Sequence, residues 1–185
     1  PFSHVLENTL IKGVSHEDLS LKMMEMINEE MGGRLLLAIS IFMDRYEKRF
    51  LHQLISSQLD MDRMDYLCRD CFFTGVMEGS IGAARIIKML NVSDDKLVVE
   101  AKGIYSIENF LVARRFMYWQ VYLHKTSVAA EKMLVNILRR AKELVKSGVD
   151  LFATPALRYF LENDVDANSF DTDYVLKRYV ELDDV

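Results

Sequence analysis

Leu59-Asp60-Met61-Asp62-Arg63-Met64-Asp65-Tyr66-Leu67-Cys68-Arg69-Asp70 is the stretch on which the reading of this chain turns. It carries four aspartates, two arginines and a tyrosine, threaded through Leu and Met at helical spacing. At about 3.6 residues per turn, Asp62, Tyr66 and Asp70 share one stripe, at i, i+4 and i+8. Arg63 and Arg69 flank that stripe, and Thr74-Gly75 is a natural helix stop. A carboxylate, a phenol, a second carboxylate and neighbouring cations suit a metal, a sugar and a phosphate held together. The same pattern also suits a solvated helix face with incidental i, i+4 pairs.

Working outward, the flanking sequence is helical almost throughout. Residues 1–13 read as loop or short helix. Ser15 is a good N-cap, and Asp18 three residues on makes a capping box. Leu19, Met23, Met24, Met26 and Ile27 give that helix its apolar face, and Gly32-Gly33 ends it. Further helices are predicted over about 35–46 and 48–56. Downstream of the aspartate-rich segment, Ser80 is positioned to cap a helix reaching Met89 or Leu90. Lys96-Leu97-Val98-Val99-Glu100 has a β-branched centre, and Ser93-Asp94-Asp95 before it is turn chemistry. A small hairpin over about 88–102 follows. One long helical pattern runs over about 107–146, with room for a break, and Gly148 closes it. Thr154-Pro155 is an N-cap followed by proline at the first helical position. A last helix covers about 172–181. The helical share is well above the usual third or so, so the fold class is all-α with a small β-hairpin.

Bulk composition limits the function classes. The chain has 185 residues, enough for one domain with its own core. Half are apolar and 28% charged, with two prolines, eight glycines and eleven methionines. That balance fits long helices in a globular protein. A net charge of -5 argues against a general nucleic-acid coat, which needs a basic balance. There is no apolar run of membrane-spanning length and no secretory signal, so a cytoplasmic location without membrane association is expected. Cys68 and Cys71 form a C-x-x-C. It reads either as a redox pair or half a zinc site, or as two helix thiols one turn apart in a reducing cytosol; the missing second Cys/His pair favours the latter.

Two further constellations carry polar chemistry. His4, Glu7, His16 and Glu17 sit near predicted helix starts, where acid/base work on a phosphate or simple capping both fit. Arg114, Tyr118, Tyr122 and Lys125 fall at i, i+4, i+8 and i+11 of the long helical pattern. Two cations and two phenols on one face suit a polyphosphate and its sugar, or an amphipathic helix with packed tyrosines and snorkelling cations. No glycine-rich phosphate loop, Gly-x-Ser-x-Gly elbow or His-Glu-x-x-His occurs.

Taken in order, Pro1-Phe2-Ser3-His4, Gly13-Val14-Ser15-His16-Glu17, the run from Ile55 to Asp70, Thr74-Gly75 and Tyr122-Leu123-His124-Lys125 resemble the HD-domain phosphohydrolases. The nearest branch is the deoxynucleoside triphosphate triphosphohydrolases. The resemblance covers roughly residues 1 to 145, is most specific in Asp-x-Asp-Arg-x-Asp-Tyr followed by Arg-Asp, and continues more loosely to Val185 in bacterial members. It implies an HD-type core over 1–147 and an incomplete helical extension over 148–185. It also implies roles. Asp62 is the last ligand of a divalent metal (Mg, Mn, Fe, Ni or Zn). Arg63 and Arg114 contact the triphosphate. Tyr66 and Tyr122 lie beside the deoxyribose, Tyr118 is a further substrate-binding residue, and Asp70 reads the 3′-hydroxyl. His4, Glu7 and His16 serve acid/base chemistry near the α-phosphate. Asp60 and Asp65 are left with capping or arginine pairing. The implied reaction is attack of water on the α-phosphorus of a dNTP, releasing deoxynucleoside and triphosphate. A homo-oligomer is compatible with the family, and nucleic acid is not an expected partner.

The resemblance also marks a departure. Family members hold the metal with a histidine, an adjacent His-Asp pair and the late aspartate, and the His-Asp pair lies just before Pro-Phe-Ser-His. This chain starts at Pro1 and ends at Val185, and both ends are expected to be cut. The first three ligands would then lie upstream, and these residues alone are expected to bind metal weakly and to be inactive. Two other readings stay open: hydrolysis of another phosphate ester, and a non-catalytic HD-fold module that binds nucleotide or assembles a larger complex.

Overall fold

The computed structural model of the chain describes Val5, Leu6 and residues 9–182. Those residues are all-α, with small strand pairs, as the sequence predicts. The chain forms two compact units: Pro1–Leu35 with Ala129–Val185, and Leu36–Val128. No helix among the described residues is long and apolar enough to cross a membrane.

In the first unit, β1 (Ile11–Lys12) leads into α1 (His16–Glu30). The Ser15 hydroxyl accepts from the Asp18 backbone N–H at 3.2 Å, and Asp18 accepts from the Ser15 N–H at 3.1 Å. This reciprocal capping box fixes the helix start where the sequence places it. Gly32 and Gly33 take φ of +65° and +86° just past its end, a conformation that glycine adopts without steric cost.

The unit's C-terminal part comprises most of α7 (Lys125–Lys146), α8 (Pro155–Glu162), β4 (Val165–Asp166) and α9 (Asp173–Val180). Thr154 caps α8 through its hydroxyl, and Pro155 occupies the first turn, where its missing N–H costs nothing. Leu6, Leu10, Ile11, Leu19, Phe160 and Val165 sit at the centre of the core, with Leu138, Val175 and Leu176 around them. Burial of these side chains in a close-packed interior is the main stabilising term.

One element differs from the sequence reading, which has loop or short helix over residues 1–13. Ile11 and Lys12 pair in parallel with Val165 and Asp166. A two-residue strand is too short to show alternation, so the pairing rests on the two buried residues Ile11 and Val165 meeting in the core. Lys142 donates to the Leu10 and Asn163 carbonyls at 3.3 and 3.2 Å, satisfying backbone acceptors just before each strand.

The second unit holds α2 (Leu36–Phe42), α3 (Phe50–Gln53), α4 (Met61–Thr74), α5 (Ala83–Met89), the hairpin β2 (Leu90–Ser93) and β3 (Lys96–Val99), α6 (Ile104–Met117), and the first residues of α7. Its core is Met64, Leu67, Ile86, Phe110 and Met117. The helices predicted over 35–46 and 48–56 are shorter than expected. Asp44 takes φ of +53°, which no continuing α-helix allows, so α2 stops at Phe42. In the hairpin turn, Asp94 and Asp95 both take positive φ (50° and 56°). That is the type I′ geometry that matches the strand twist. The antiparallel register pairs Leu90 with Val99 and Ser93 with Lys96, within the span the sequence predicts.

The long helical pattern does break. After Met117 the backbone widens into a π-turn over Tyr118–Tyr122, and the Leu123 N–H reaches back to the Tyr118 carbonyl at 2.7 Å. α7 then restarts at Lys125.

Candidate active site

The aspartate-rich segment is α4. Its N-cap is Asp60, whose Oδ1 accepts from the Arg63 N–H at 2.7 Å, and its C-cap is Gly75 at φ +71°. Met64 and Leu67 face the core. Burying them turns Arg63, Tyr66 and Asp70 towards the α6 end and the π-turn, where Arg114, Tyr118 and Tyr122 sit.

Six of the residues singled out from sequence come together in this second unit. The Tyr122 hydroxyl donates to Asp70 Oδ2 at 2.6 Å. The Tyr66 and Tyr122 rings meet edge to face at 6.0 Å, and those of Tyr118 and Tyr122 at 5.2 Å. The Arg114 guanidinium lies over the Tyr118 ring at 5.4 Å, and its charge favours the ionised form of the Tyr66 hydroxyl. The charges of both Arg63 and Arg114 reach Tyr66. The π-turn is what brings Tyr118 and Tyr122 into this cluster, and such turns recur at functional sites.

The electrostatics follow from half-burial. Desolvation pushes the Tyr66 phenol up, with Tyr118 adding to it and the two arginines opposing it. Desolvation also pushes Tyr122 up, reinforced by its hydrogen bond to the Asp70 carboxylate. Both phenols therefore stay protonated and can donate. The two arginines share another feature. Arg63 Nε and Arg114 Nε are buried, and each has no hydrogen-bond partner among the described residues. A buried donor without an acceptor costs on the order of 1–3 kcal/mol, more when charged.

Two neighbours hold these arginines. Asp60 Oδ2 lies 3.3 Å from Arg63 Nη2, and Asp60 is the buried charged residue among those described. Gln58 Oε1 accepts from Arg114 Nη1 at 3.4 Å. Sequence reasoning missed Gln58, because nothing in local spacing relates it to a residue 56 positions away. Asp65 pairs with Arg69 at 3.0 Å on the exposed side of α4.

Asp62 is exposed on the first turn of α4 and makes no hydrogen bond or ion pair with a described residue. His16 belongs to the first unit, is half-exposed, and lies 3.3 Å from Glu17. His4 and Glu7 lie outside the described residues. Lys125 begins α7, just beyond the π-turn. Among the described residues no group of three or more His, Cys, Asp or Glu could hold a metal ion. Asp62 is thus one carboxylate without companions, and a divalent ion does not fit the described donors alone. Cys68 and Cys71 are free thiols on α4, and burial raises the Cys68 thiol, the opposite of an activated nucleophile.

Comparison with known proteins bears on the family of this chain. Residues 81–154 match the family described as the HD associated region. The crystal structure of a phosphohydrolase from Bacteroides thetaiotaomicron is 65% identical with a TM-score of 0.95; the match covers all of this chain and 46% of that one. The protein YwfO of Bacillus subtilis is 31% identical over 191 residues, 100% of this chain and 42% of its own length. The deoxynucleoside triphosphate triphosphohydrolase SAMHD1 homologue of Dictyostelium discoideum is 25% identical over 163 residues, 79% of this chain and 32% of its own. The chain spans less than half the length of each. An HD-associated region, a phosphohydrolase of near-identical fold and a distant triphosphohydrolase relative together support the HD phosphohydrolase family for this chain.

Proposed function

We propose that this chain forms the nucleotide-binding wall of an HD-type phosphohydrolase that converts a dNTP to deoxynucleoside and triphosphate. The observation that carries this reading is the pair of guanidinium groups around Tyr66, each with a buried Nε–H lacking an acceptor among the described residues. Phosphate oxygens are the acceptors that such a pair fits, because planar guanidinium donors match them in geometry and charge. The tyrosines beside them offer a flat apolar edge for a sugar. Asp70, already accepting from Tyr122, offers an acceptor for a sugar hydroxyl.

In this reading Arg63 and Arg114 hold the triphosphate and neutralise charge that grows as the α-phosphorus is attacked. Tyr66, Tyr118 and Tyr122 pack against the deoxyribose, and Asp70 fixes it. Water oxygen bonds to the α-phosphorus, the bond to the 5′-oxygen breaks, and that oxygen leaves with a proton. The resemblance assigns the proton movements to His4, Glu7 and His16. A divalent ion, when bound, would polarise the phosphoryl oxygen. Asp62 is the ligand this chain would offer.

The test is a product assay. The protein at its natural length, given each of the four dNTPs with Mg or with Mn, should release inorganic triphosphate and deoxynucleoside in equal amounts. Release of orthophosphate or pyrophosphate instead, or of nothing, overturns the triphosphohydrolase reading.

A further inference from the structure

We infer that Asp60 is a positioning residue, which locks the Arg63 guanidinium in the orientation that receives phosphate. The inference rests on the phosphate-binding reading above. One carboxylate does two jobs: Oδ1 accepts from the Arg63 backbone N–H at 2.7 Å, and Oδ2 lies 3.3 Å from Arg63 Nη2. The ring closes on itself, from the Asp60 side chain to the Arg63 backbone, along the Arg63 side chain and back to Asp60. An arginine side chain otherwise moves among many rotamers. Here its fork is fixed to the first turn of α4 on one side, while Nε stays buried and unpaired among the described residues. Such an arrangement is costly for folding, since Asp60 is only 5% exposed and a buried carboxylate needs its partners. The cap alone does not require it, because Ser, Thr or Asn caps a helix about as well.

Charge and position make opposite predictions, which gives the inference a sharp test. Removing a negative charge beside an anion site should tighten anion binding if only Coulomb attraction matters. If Asp60 positions Arg63, removing it should weaken binding. Asp60→Asn keeps a good N-cap but offers Arg63 a neutral amide. Asp60→Ser also caps, with a side chain too short to reach the guanidinium. Asp65→Asn removes the same charge from the exposed Asp65–Arg69 pair of the same helix and controls for Coulomb effects.

The measurement is calorimetric binding of inorganic triphosphate to the natural-length protein, with the melting temperature followed in parallel. Expected are a threefold or greater loss of affinity in Asp60→Asn and Asp60→Ser, a tenfold loss in Arg63→Ala, and none in Asp65→Asn. The Asp60→Asn and Arg63→Ala effects should be non-additive when combined. In turnover assays the Asp60→Asn variant should show a raised KM and, because Arg63 also meets the charge that grows on attack, a lowered kcat. Unchanged or tighter binding in both Asp60 variants, with Arg63→Ala still impaired, overturns the positioning role alone. Full binding in Arg63→Ala overturns the phosphate reading and this inference with it.

Discussion

The hydrogen bond from Tyr122 to Asp70 joins two residues 52 positions apart, and it does so with a half-buried phenol whose ionisation is pushed upward by burial and by that carboxylate. A phenol held protonated fixes the direction of the Asp70 carboxylate, which leaves its other lone pairs for a ligand hydroxyl. Such a bond, with one charged partner, is worth about 1.5–3 kcal/mol. If Asp70 holds the sugar, Asp70→Ala should let the ring shift and so tolerate a 2′-hydroxyl. The ratio of kcat/KM for a dNTP over the matching ribonucleotide should fall at least tenfold. An unchanged ratio would count against the sugar role. Tyr122→Phe keeps the ring packing and should give a smaller drop in the same ratio.

Several helix starts and stops were legible in this chain because their chemistry is local, whereas Ser80 does not cap α5, which begins at Ala83 with Gly82 as its N-cap. Ser15 with Asp18, Asp60, Gly75 and Thr154-Pro155 each satisfy or omit backbone groups within a few residues. The hairpin was legible for the same reason, since Asp94 and Asp95 tolerate positive φ and β-branched residues flank them. The π-turn was not, because one extra residue per turn leaves the 3.6-residue apolar pattern nearly intact on either side. Nor was the parallel pairing of β1 and β4, or the Gln58–Arg114 contact, since both depend on tertiary packing. The single helical stripe expected over Arg114, Tyr118, Tyr122 and Lys125 is interrupted by the π-turn, which itself sets Tyr118 and Tyr122 beside Arg114. The junction after α4 yields a prediction at this scale. A Cβ at Gly79 would run into the Met117 sulfur and lie 2.7 Å from its Cγ. Met117 is fully buried, so it can move only by disturbing Phe110 and its neighbours. Gly79→Ala should therefore cost about 1–3 kcal/mol in urea unfolding. Combining it with Met117→Val should cost less than the sum of the two single changes, and simple additivity would refute the contact.

Across the whole molecule, the perturbed aspartates, tyrosines and cysteine divide between the two units by sign. In the first unit, Asp18 is held below the usual carboxylate range by the Ser15 hydroxyl, Asp164 by Lys146 and Lys142, and Asp166 by Ser169. In the second, burial raises Tyr66, Tyr122 and Cys68. Linkage fixes the direction of each effect. A depressed aspartate contributes stability above its unfolded value of 3.8, and that contribution is lost as pH falls through the folded value. These three aspartates are exposed, so each contribution is small, though all act in one unit. A raised phenol or thiol does the reverse. Its contribution is whole below the unfolded values of 9.0 for Cys68 and 10.0 for the tyrosines, and is lost as pH rises from there towards the folded values. The two units should therefore open at opposite ends of the pH scale. Trp119, the chain's one tryptophan, lies in the second unit and reports it by fluorescence, while amide exchange in α8 and α9 reports the first. Acidification below about pH 4 should release α8 and α9 amides before Trp119 responds. Raising the pH past about 10 should shift Trp119 emission while α8 and α9 remain protected. Loss of both signals together at either limit, or in the reversed order, would show that these groups do not set the pH limits of the units that hold them.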